Sequence, residues 1–408
     1  MRTRRILSLV LISLVLMGSL TPSHTVSATE KELADKAKSA ILLDVDTGTV
    51  LYEKNADEKL PPASITKVMT MLLVMEALDE GHLSMEDKVQ ASEHAASMGG
   101  SQIFLKAGEE MKVEELLKAI AIASANDATV AVAEHLAGTE EAFVQKMNRK
   151  ASELGMTHTK FRNTNGLPEP DHYTTARDIS TMSRALLKHP EITRFTGVYE
   201  DYLRQESKTP FWLVNTNRLV KFYEGMDGLK TGFTQEAKYC LTATAEREGM
   251  RLIAVVMGEP DAKSRNQEIA QMMNFAFSQY RTHVLFDQGD VIGAREISKG
   301  ENPQLHVKAD RRMSILMKRG DKLEQFEVVT LWDPLKAPVK KGDTVGKVQV
   351  KKEGEVVADF ILTSGDDIDR ARWWTLFTRA TKKILFLPDG VQDPEGEDKQ
   401  EKKKEVKE

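Results

Sequence analysis

Hydrophobic positions recur with different periods along the chain, and each change of period predicts a change of element. Residues 40–53 predict two short strands around the turn Asp46-Thr47-Gly48. From Ile65 to about Gly155 the apolar positions follow a mainly helical spacing, whereas residues 230–258 return to strand patterns. Helical sequence between strands that are distant along the chain predicts an α+β fold, with helices packed on a mainly antiparallel sheet.

A second region begins near His283. From there to Leu362, short alternating runs are separated by Gly, Pro and charged residues, which predicts a small all-β, sandwich-like domain over residues 283–364. No cluster of catalytic residue types falls in this region, so its expected role is that of a spacer or a binding surface. The catalytic chemistry is therefore expected in residues 29–282.

The first 28 residues have the order of a secretory signal peptide. Three arginines precede an uncharged apolar run from Ile6 to Leu20, and a polar stretch ends at Val26-Ser27-Ala28. The alternative is a short membrane anchor, but Gly18 and Pro22 interrupt the run before the ~20 residues that a spanning helix needs. We therefore expect residues 1–28 to be cleaved, and the protein to be exported to the outer face of the cytoplasmic membrane or to the cell wall space.

Near the other end, residues 365–387 predict a cationic amphipathic helix. Trp373 and Phe377 lie on an apolar face, and the segment from Ile368 to Leu387 holds five basic residues and one acidic residue. Such a helix suits the surface of an anionic membrane; the alternative is a terminal helix docked on the protein's own core. Residues 388–408 are highly charged and have few apolar side chains, so they are expected to be disordered.

Composition narrows the function classes. The 408 residues include 29% charged side chains and a single Cys, with a formal net charge of −5. One Cys excludes a disulfide framework within the chain and any Cys-based zinc site, and the acidic balance offers no general attraction to nucleic acid. Removing residues 1–28, which carry three arginines and no acidic residue, changes the net charge from −5 to −8.

The strongest local signal is the segment Pro61-Pro62-Ala63-Ser64-Ile65-Thr66-Lys67, at the start of an apolar-periodic helix. Residues three apart are neighbours on a helix surface, so Ser64 and Lys67 share a face. A neutral lysine amine within hydrogen-bond reach can remove the serine proton, and the helix N-terminus adds positive potential where an oxyanion forms. By itself Ser-x-x-Lys is weak evidence, because Ser is a common helix cap and Lys a common first-turn residue.

Two further elements follow in order. Ser124-Ala125-Asn126 lies between two helical stretches, and Lys230-Thr231-Gly232 lies at the start of a strand. The set of Ser-x-x-Lys, a Ser-x-Asn type triplet and Lys-Thr-Gly is typical of penicillin-binding proteins and class A β-lactamases. Other signals are weaker: Asp46-Thr47-Gly48 has no second copy with which to form an aspartic protease dyad, and the nine His residues show no metal-ligand spacing.

Residues from about Lys31 to Tyr280 resemble the low-molecular-mass penicillin-binding proteins that act as serine D-alanyl-D-alanine carboxypeptidases. Beside the three motifs, the resemblance includes the segments 163–167, 172–178 and 227–234. Members of this family also carry a β-rich domain and a C-terminal amphipathic membrane helix. The layout is similar to the sporulation-associated branch of Gram-positive spore formers, which implies a place in the forespore envelope.

The resemblance implies a serine acyl-enzyme mechanism that needs no metal and no cofactor. Ser64 would attack the carbonyl between the last two D-alanines of a peptidoglycan stem peptide, with Lys67 as its base. Ser124 would relay a proton to the leaving amine, and Asn126 would hold Lys67 or the substrate amide. The remaining substrate-binding candidates are Lys230, Thr231, Gly232, Phe233 and Arg265.

These candidates have distinct expected roles. Burial and the nearby Lys230 ammonium would lower the pKa of Lys67. The Lys-Thr-Gly strand would pair edge to edge with an extended substrate, and Gly232 would permit a close backbone approach. Thr231 and Arg265 would bind the terminal carboxylate, while the backbone N–H groups of Ser64 and Phe233 would form the oxyanion hole.

The expected function is removal of the C-terminal D-alanine from stem pentapeptides, which limits cross-linking of the cell wall, with covalent inhibition by β-lactam antibiotics. The nearest alternative is a serine β-lactamase. Class A members carry a Glu-x-x-Leu-Asn deacylation element, and none lies between Ser124 and Lys230. An alternative of another class is a non-catalytic penicillin-binding sensor or wall-binding module, against which the intact motifs count.

Overall fold

The computed structural model describes residues 32–385, and the structural statements below concern that part of the chain. Both the predicted signal peptide, residues 1–28, and the predicted tail, residues 388–408, lie outside the described residues.

The central sheet has five strands, and every neighbouring pair is antiparallel. They are β1 (Ser39–Asp44), β2 (Val50–Lys54), β7 (Met226–Thr234), β8 (Lys238–Arg247) and β9 (Met250–Glu259). Their order across the sheet is β2-β1-β9-β8-β7, so the chain places its first and its later strands side by side. β1 and β2 form the hairpin predicted around Asp46, in which the Asp44 side chain accepts hydrogen bonds from the Thr47 amide and hydroxyl at 2.8 and 2.6 Å.

Helices fill most of the sequence between β2 and β7. They are α1 (Lys67–Asp79), α2 (Glu93–Ala96), α3 (Val113–Lys118), α4 (Asn126–Ala137), α5 (Glu140–Glu153), α6 (Ala176–Leu186), α7 (Thr193–Thr196) and α8 (Leu219–Phe222), followed by α9 (Ala262–Gln279) after β9. Two short ribbons are inserted among them: β3 (Lys88–Gln90) with β4 (Glu110–Lys112), and β5 (Glu200–Leu203) with β6 (Phe211–Val214). Side-chain caps fix several starts; Thr175, for example, accepts a hydrogen bond from the Asp178 amide at the start of α6.

Both faces of the central sheet are buried. Consecutive residues of β1, such as Ile41 and Leu42, point to opposite faces, and each is 0% exposed. Ile41 belongs to the hydrophobic core that includes Met71 of α1 and Met182 of α6, while α9 packs along β8 and β9. Helices therefore pack on the sheet, and the predicted arrangement of helices on a mainly antiparallel sheet is confirmed.

A small all-β domain follows α9, as predicted. Its strands are β10 (Tyr280–Phe286), β11 (Val291–Glu296), β12 (Gln304–Lys308), β13 (Met313–Lys318), β14 (Phe326–Trp332), β15 (Thr344–Lys352) and β16 (Glu355–Thr363). They form two antiparallel pairs, β10-β13 and β11-β12, and the sheet β14-β15-β16, around a hydrophobic core of their own. The first strand begins at Tyr280; the division of the chain between residues 282 and 283 stays a prediction.

The C-terminal helix, α10 (Trp373–Leu385), begins later than predicted. The expectation of a helix over 365–387 is wrong for its first residues, because Ile368 pairs with Val339 through hydrogen bonds of 2.7 and 3.0 Å and its side chain is 5% exposed in the core of the β domain. A buried side chain and a satisfied extended backbone outweigh the helical spacing. Within residues 32–385, no helix is both long enough and apolar enough to cross a membrane.

Candidate active site

The candidate nucleophile lies in a short 3-10 turn, Ala63–Thr66, that runs directly into α1 at Lys67. The turn starts from Ala63 with a left-handed φ of 48°, a conformation that costs energy for a residue with a β-carbon. Ser64 and Lys67 face the same way, as predicted from their spacing, and Lys67 Nζ lies 3.1 Å from Ser64 Oγ. Ser64 is partly exposed, whereas Lys67 is 0% exposed.

Three polar neighbours surround the Lys67 amine. Besides Ser64 Oγ, its Nζ donates to Asn126 Oδ1 and to the Asn165 carbonyl oxygen, each at 2.7 Å. Burial holds the pKa of Lys67 well below its ordinary value, and the positive charge of Lys230 lowers it further, against a smaller opposite effect of Asp127. The predicted shift of the Lys67 pKa and its two predicted causes are therefore present.

Strand β7 lies alongside the nucleophile turn. A β-carbon on Gly232 would lie 2.9 Å from the Pro62 carbonyl oxygen and 3.2 Å from the Ser64 amide nitrogen, so only glycine lets the strand approach this closely. Lys230, on the same strand, is 1% exposed and donates to the Thr231 carbonyl at 3.0 Å. Burial and the nearby Arg265 guanidinium lower the pKa of Lys230 to about 7.

Ser124 closes a π-helical turn, Ala119–Ala123, and has a left-handed φ of 63°. Such turns are rare and are often found at functional sites. Two residues later, Asn126 begins α4; its Nδ2 donates to the Gly99 carbonyl at 2.6 Å while its Oδ1 accepts from Lys67. Ser124 is 4% exposed, and its hydroxyl has no hydrogen-bond partner within residues 32–385.

Three predicted residues remain: Thr231 and Phe233 on β7, and Arg265 on α9. The Thr231 hydroxyl donates to the Thr216 hydroxyl at 2.7 Å. Arg265, in the first turn of α9, is 6% exposed and holds Asn266 Oδ1 with Nε and Nη2 at 3.0 and 2.9 Å. The Phe233 ring is 48% exposed and packs on Tyr239, with ring centroids 4.4 Å apart. The nine predicted site residues thus lie on the nucleophile turn and the start of α1, on the Ser124 turn and the start of α4, on β7, or on α9.

Sequence reasoning missed three contributors. Asp127 is 0% exposed and accepts hydrogen bonds from the backbone amides of Ile103, Leu105 and Ala128 at about 3 Å, which ties the segment 99–105 to the start of α4. Asn165 offers its carbonyl to Lys67, and Thr216 is the partner of Thr231. Asp127 directly follows the Ser-Ala-Asn triplet, and Asn165 lies in the segment 163–167 of the family resemblance. The role of a backbone carbonyl leaves no signal of its own in a single sequence.

Two other polar residues fall outside the site network. His172 is 6% exposed; its Nε2 lies 3.0 Å from the Thr66 hydroxyl, and burial together with the Arg162 charge lowers its pKa to about 4. It is therefore a neutral ring that contacts the nucleophile turn at Thr66. Burial raises the pKa of the Cys240 thiol to about 11, and a protonated buried thiol is a poor nucleophile. No group of three or more potential metal ligands occurs among the described residues.

Comparisons with known proteins decide the family. A model of the D-alanyl-D-alanine carboxypeptidase peptidases, family S11, matches residues 25–261. The chain belongs to this family. A second model, the C-terminal domain of penicillin-binding protein 5, matches residues 280–370, which agrees with a separate all-β domain.

Relatives of the family extend the match over nearly the whole chain. D-alanyl-D-alanine carboxypeptidase DacF of Bacillus subtilis is 50% identical over 380 residues, 92% of this chain and 97% of the relative. DacC of Escherichia coli is 34% identical over 79% of this chain and 81% of its own length. The crystal structure of penicillin-binding protein 5 from Haemophilus influenzae superposes with a TM-score of 0.68 at 29% identity, covering 82% of this chain and 98% of that chain.

Proposed function

We propose that the protein is a serine D-alanyl-D-alanine carboxypeptidase that removes the terminal D-alanine of peptidoglycan stem peptides and is acylated by β-lactam antibiotics at Ser64. The arrangement around the Lys67 amine carries this proposal. A neutral amine has two N–H donors and one lone pair. Asn126 Oδ1 and the Asn165 carbonyl can only accept hydrogen bonds and occupy both donors, so the lone pair is left for the Ser64 hydroxyl at 3.1 Å.

The neutral state of Lys67 is supported by its surroundings. Its amine is fully buried, and the Lys230 charge opposes protonation. In the first half-reaction the Ser64 oxygen bonds to the carbonyl carbon while its proton moves to Lys67. Collapse of the tetrahedral intermediate then breaks the C–N bond, and D-alanine leaves with a proton relayed through Ser124. Water attacks the resulting ester in the second half-reaction and restores the Ser64 hydroxyl.

The close approach of β7 to the turn supports the oxyanion hole. The backbone N–H groups of Ser64 and Phe233 would donate to the developing oxyanion, a type of contact whose loss commonly costs about 10²- to 10³-fold in rate. The strand edge would pair with the extended peptide, since Gly232 leaves no side chain between the strand and the turn.

The terminal carboxylate of the substrate would bind beside Thr231. The Thr231 and Thr216 hydroxyls, which donate and accept between themselves in the free protein, can both turn to donate to a carboxylate. Lys230 and Arg265 supply positive potential there, and Arg265 Nη1 has no hydrogen-bond partner among residues 32–385. A guanidinium is suited to a carboxylate geometrically as well as electrostatically.

The decisive experiment pairs Ser64→Ala with a peptide assay on the purified mature chain. Wild type should release one D-alanine per pentapeptide ending in D-Ala-D-Ala and should be labelled covalently by a fluorescent penicillin. Ser64→Ala should lose both activities, while the exposed control Ser152→Ala should keep both. Labelling of Ser64→Ala would overturn the assignment of the nucleophile. Fast penicillin turnover without peptide cleavage would indicate the β-lactamase, and stable labelling without D-alanine release would indicate the sensor.

We also infer that α10 binds the surface of an anionic membrane. Trp373 and Trp374 are each 66% exposed and Phe377 is 50% exposed, and the three rings contact one another. Arg379 holds the helix to the β domain through the carbonyls of Gly300 and Glu301, so the rings face outward instead of filling a core. Exposed aromatic clusters on a basic helix favour the membrane interface.

Vesicle flotation tests this inference. The full mature chain should float with vesicles that contain phosphatidylglycerol, and a chain ending at Arg372 should remain in the soluble fraction. Equal flotation of the two forms would contradict it. Export to the outer face of the cytoplasmic membrane follows from the predicted signal peptide and from the substrate, which lies outside the cytoplasm; a place in the forespore envelope stays a prediction from the sequence layout.

A further inference from the structure

The Asn165 carbonyl, one of the two acceptors at the Lys67 amine, belongs to a segment without regular secondary structure between α5 and α6. The Asn163 side chain fixes the shape of this segment: its Oδ1 accepts from the Gly166 amide at 2.7 Å, and its Nδ2 donates to the Leu167 carbonyl at 2.9 Å. These bonds lie within the segment and do not set its distance from α1. Contacts with other elements must therefore hold the carbonyl against the amine.

Thr164, the residue before Asn165, makes these contacts. It is 0% exposed, and each of its three polar groups has a partner on a helix. Its carbonyl accepts from the hydroxyl of Thr70, one turn after Lys67 on α1, at 2.7 Å. Its amide and its hydroxyl both donate to Glu140 Oε1, at 3.0 and 2.7 Å. Thr164 is therefore held between α1, which carries the proposed base, and the start of α5.

The Glu140 carboxylate is held from its other side as well. Glu140 is the first residue of α5, directly after the cap residue Thr139, and its side chain is 14% exposed. While Oε1 accepts from Thr164, Oε2 lies 2.9 Å from Nε2 of His94 on α2. Two elements thus fix the direction of the carboxylate. Hydrogen bonds to a carboxylate are stronger than those between neutral groups, so Glu140 is the strongest anchor of Thr164.

The position of the Asn165 carbonyl decides how the Lys67 amine is oriented. The lone pair of a neutral amine faces the Ser64 hydroxyl only while both N–H groups have other acceptors. Asn126 Oδ1 is held independently, because Nδ2 of the same side chain donates to the Gly99 carbonyl. If the Asn165 carbonyl moved away, the freed N–H group would turn to the Ser64 oxygen. The amine would then donate to the nucleophile instead of accepting its proton.

We propose that Glu140 is a positioning residue for the Lys67 base. It holds Thr164 in place, and Thr164 in turn keeps the adjoining Asn165 carbonyl at the amine. The lone pair then stays directed at the Ser64 hydroxyl. Glu140 itself takes no proton and binds no substrate. This inference rests on the proposed function, because Lys67 acts as a base only in that reaction.

Acylation of the purified mature chain by a fluorescent penicillin tests this role. The dependence of the labelling rate on penicillin concentration separates the acylation rate constant k2 from the dissociation constant K of the complex that precedes it. Glu140→Ala should lower k2 about 10- to 100-fold, because small displacements of reacting groups have effects of this size. K should change by less than about twofold, because the binding groups on β7 and α9 keep their places.

Glu140→Gln is a rescue that distinguishes positioning from the loss of a charge. The side-chain carbonyl oxygen of glutamine can accept from both Thr164 donors, so this variant should keep k2 within about threefold of wild type. A role limited to stability would lower the free energy of unfolding, but it would leave k2 of the folded Glu140→Ala chain unchanged. Urea unfolding of the three proteins measures that contribution separately.

The next residue of α5 supplies a matched control. Glu141 is exposed in the same first turn, and Glu141→Ala removes the same charge without removing an acceptor from Thr164. Both k2 and K should stay at their wild-type values. Thr164→Val removes only the hydroxyl donor and should lower k2 about threefold, which gives a second test if Glu140→Ala fails to fold.

Four results would contradict the proposal. An unchanged k2 in Glu140→Ala, or in Thr164→Val where Glu140→Ala does not fold, would overturn the role of Glu140. An equal loss of k2 in Glu140→Gln, or a loss confined to K, would overturn it too. Each of these results leaves the proposed function intact. If the wild-type chain is not labelled at Ser64, the proposed function fails, and the role of Glu140 with it.

Discussion

The catalytic unit and the β domain differ in what they bury. Among the described residues of the β domain, the only buried polar side chains are Ser314 and Ser364. The catalytic unit, whose described residues precede β10, has nine acidic, basic or histidine residues with nine-tenths or more of their surface buried: Asp44, Lys67, Asp127, His172, Asp178, Lys230, Glu259, Arg265 and Glu268. Removing charge from water is costly unless hydrogen bonds or a shifted pKa compensate.

The difference shows where function is located. The β domain has an apolar core, and no acidic, basic or histidine side chain among its described residues is buried. In the catalytic unit burial shifts the pKa of two lysines: it holds the pKa of Lys67 well below its ordinary value, which favours the neutral amine that the proposed base requires, and it lowers the pKa of Lys230 to about 7. Buried charges with shifted pKa values are typical of catalytic sites. Four pairs of substitutions, each comparing the catalytic unit with the β domain, test this contrast.

The largest effect is expected for Lys67→Met. It removes the amine that is proposed to take the Ser64 proton, and the penicillin acylation rate should fall about 10³-fold. The change in the free energy of unfolding should stay below about 2 kcal/mol, because relief of amine burial offsets the two carbonyls left without a donor. Labelling kinetics and urea unfolding measure the two quantities.

The control for this substitution is Lys347→Met in the β domain. Lys347 is a solvated lysine that pairs with Asp359 at 3.3 Å. Its removal should alter neither acylation nor stability measurably. Acylation of Lys67→Met within tenfold of wild type would contradict the role of Lys67 as the base.

Asp127→Asn should destabilise the protein by about 2 to 3 kcal/mol, since the new amide group faces backbone N–H donors that the carboxylate now satisfies. Asp127 also raises the pKa of Lys67, so its loss should move the rising limb of acylation against pH to lower pH. A purely structural residue would change stability without this movement. Urea unfolding and the pH profile of labelling give the two readouts.

Asp343→Asn is the matched control for Asp127. Asp343 is exposed and accepts a backbone hydrogen bond from Lys340 at 2.8 Å in a β-domain turn. Its substitution should change the free energy of unfolding by no more than about 0.5 kcal/mol. If the two substitutions lower the free energy of unfolding equally, burial of the Asp127 carboxylate does not increase its contribution to stability.

Lys230 should leave a signature in the pH dependence of stability. Its pKa is about 7 in the folded protein and close to 10.4 when unfolded. Between these values the unfolded chain binds a proton that the folded chain lacks, so this group makes stability rise with pH, by at most about 1.4 kcal/mol per unit. Glu259 acts in the opposite direction up to about pH 9, because burial raises its pKa to about 9.

The two groups oppose each other between pH 7 and 9, and Lys230→Met removes one of them. The variant should therefore lose stability with rising pH more steeply than wild type over this window, by up to about 1.4 kcal/mol per unit. The stability of Lys347→Met should depend on pH in the same way as that of wild type, because the Lys347 charge is solvated in both the folded and the unfolded state. Parallel curves for Lys230→Met and wild type would show that Lys230 has an ordinary pKa.

The sequence predicted those parts of this site that lie close together along the chain. Ser64 and Lys67 meet because a helical turn brings residues three apart together, and the hairpin around Asp46 follows from a turn triplet between β-branched positions. The all-β character of the second domain was predicted because its short runs of alternating residues are local patterns. The Lys-Thr-Gly triplet was found as a motif, although its distance from Ser64 depends on the assembled sheet.

The missed features depend on contacts that a single sequence does not encode locally. The Asn165 carbonyl reaches Lys67 across 98 positions, and any residue type offers the same backbone oxygen. The π-helical turn before Ser124 has the apolar sequence of an ordinary helix. Residues 368–371 have helical spacing, yet the backbone of Ile368 pairs with Val339 and that of Arg370 pairs with Gly300. Tertiary pairing overrides local pattern in each case.

The smallest effects are expected where the two regions should not differ at all. Ile41 in β1 and Ile315 in β13 are 0% and 1% exposed within their respective apolar cores. Ile→Val removes one methylene from each, and each should cost about 0.5 to 1.5 kcal/mol without changing the acylation rate. Amide hydrogen exchange in β1 and β13 reports the two cores separately. Equal losses would place the distinction between the regions in their buried charges; a much larger loss at Ile41 would mean that tighter packing, and not charge burial alone, sets the catalytic unit apart.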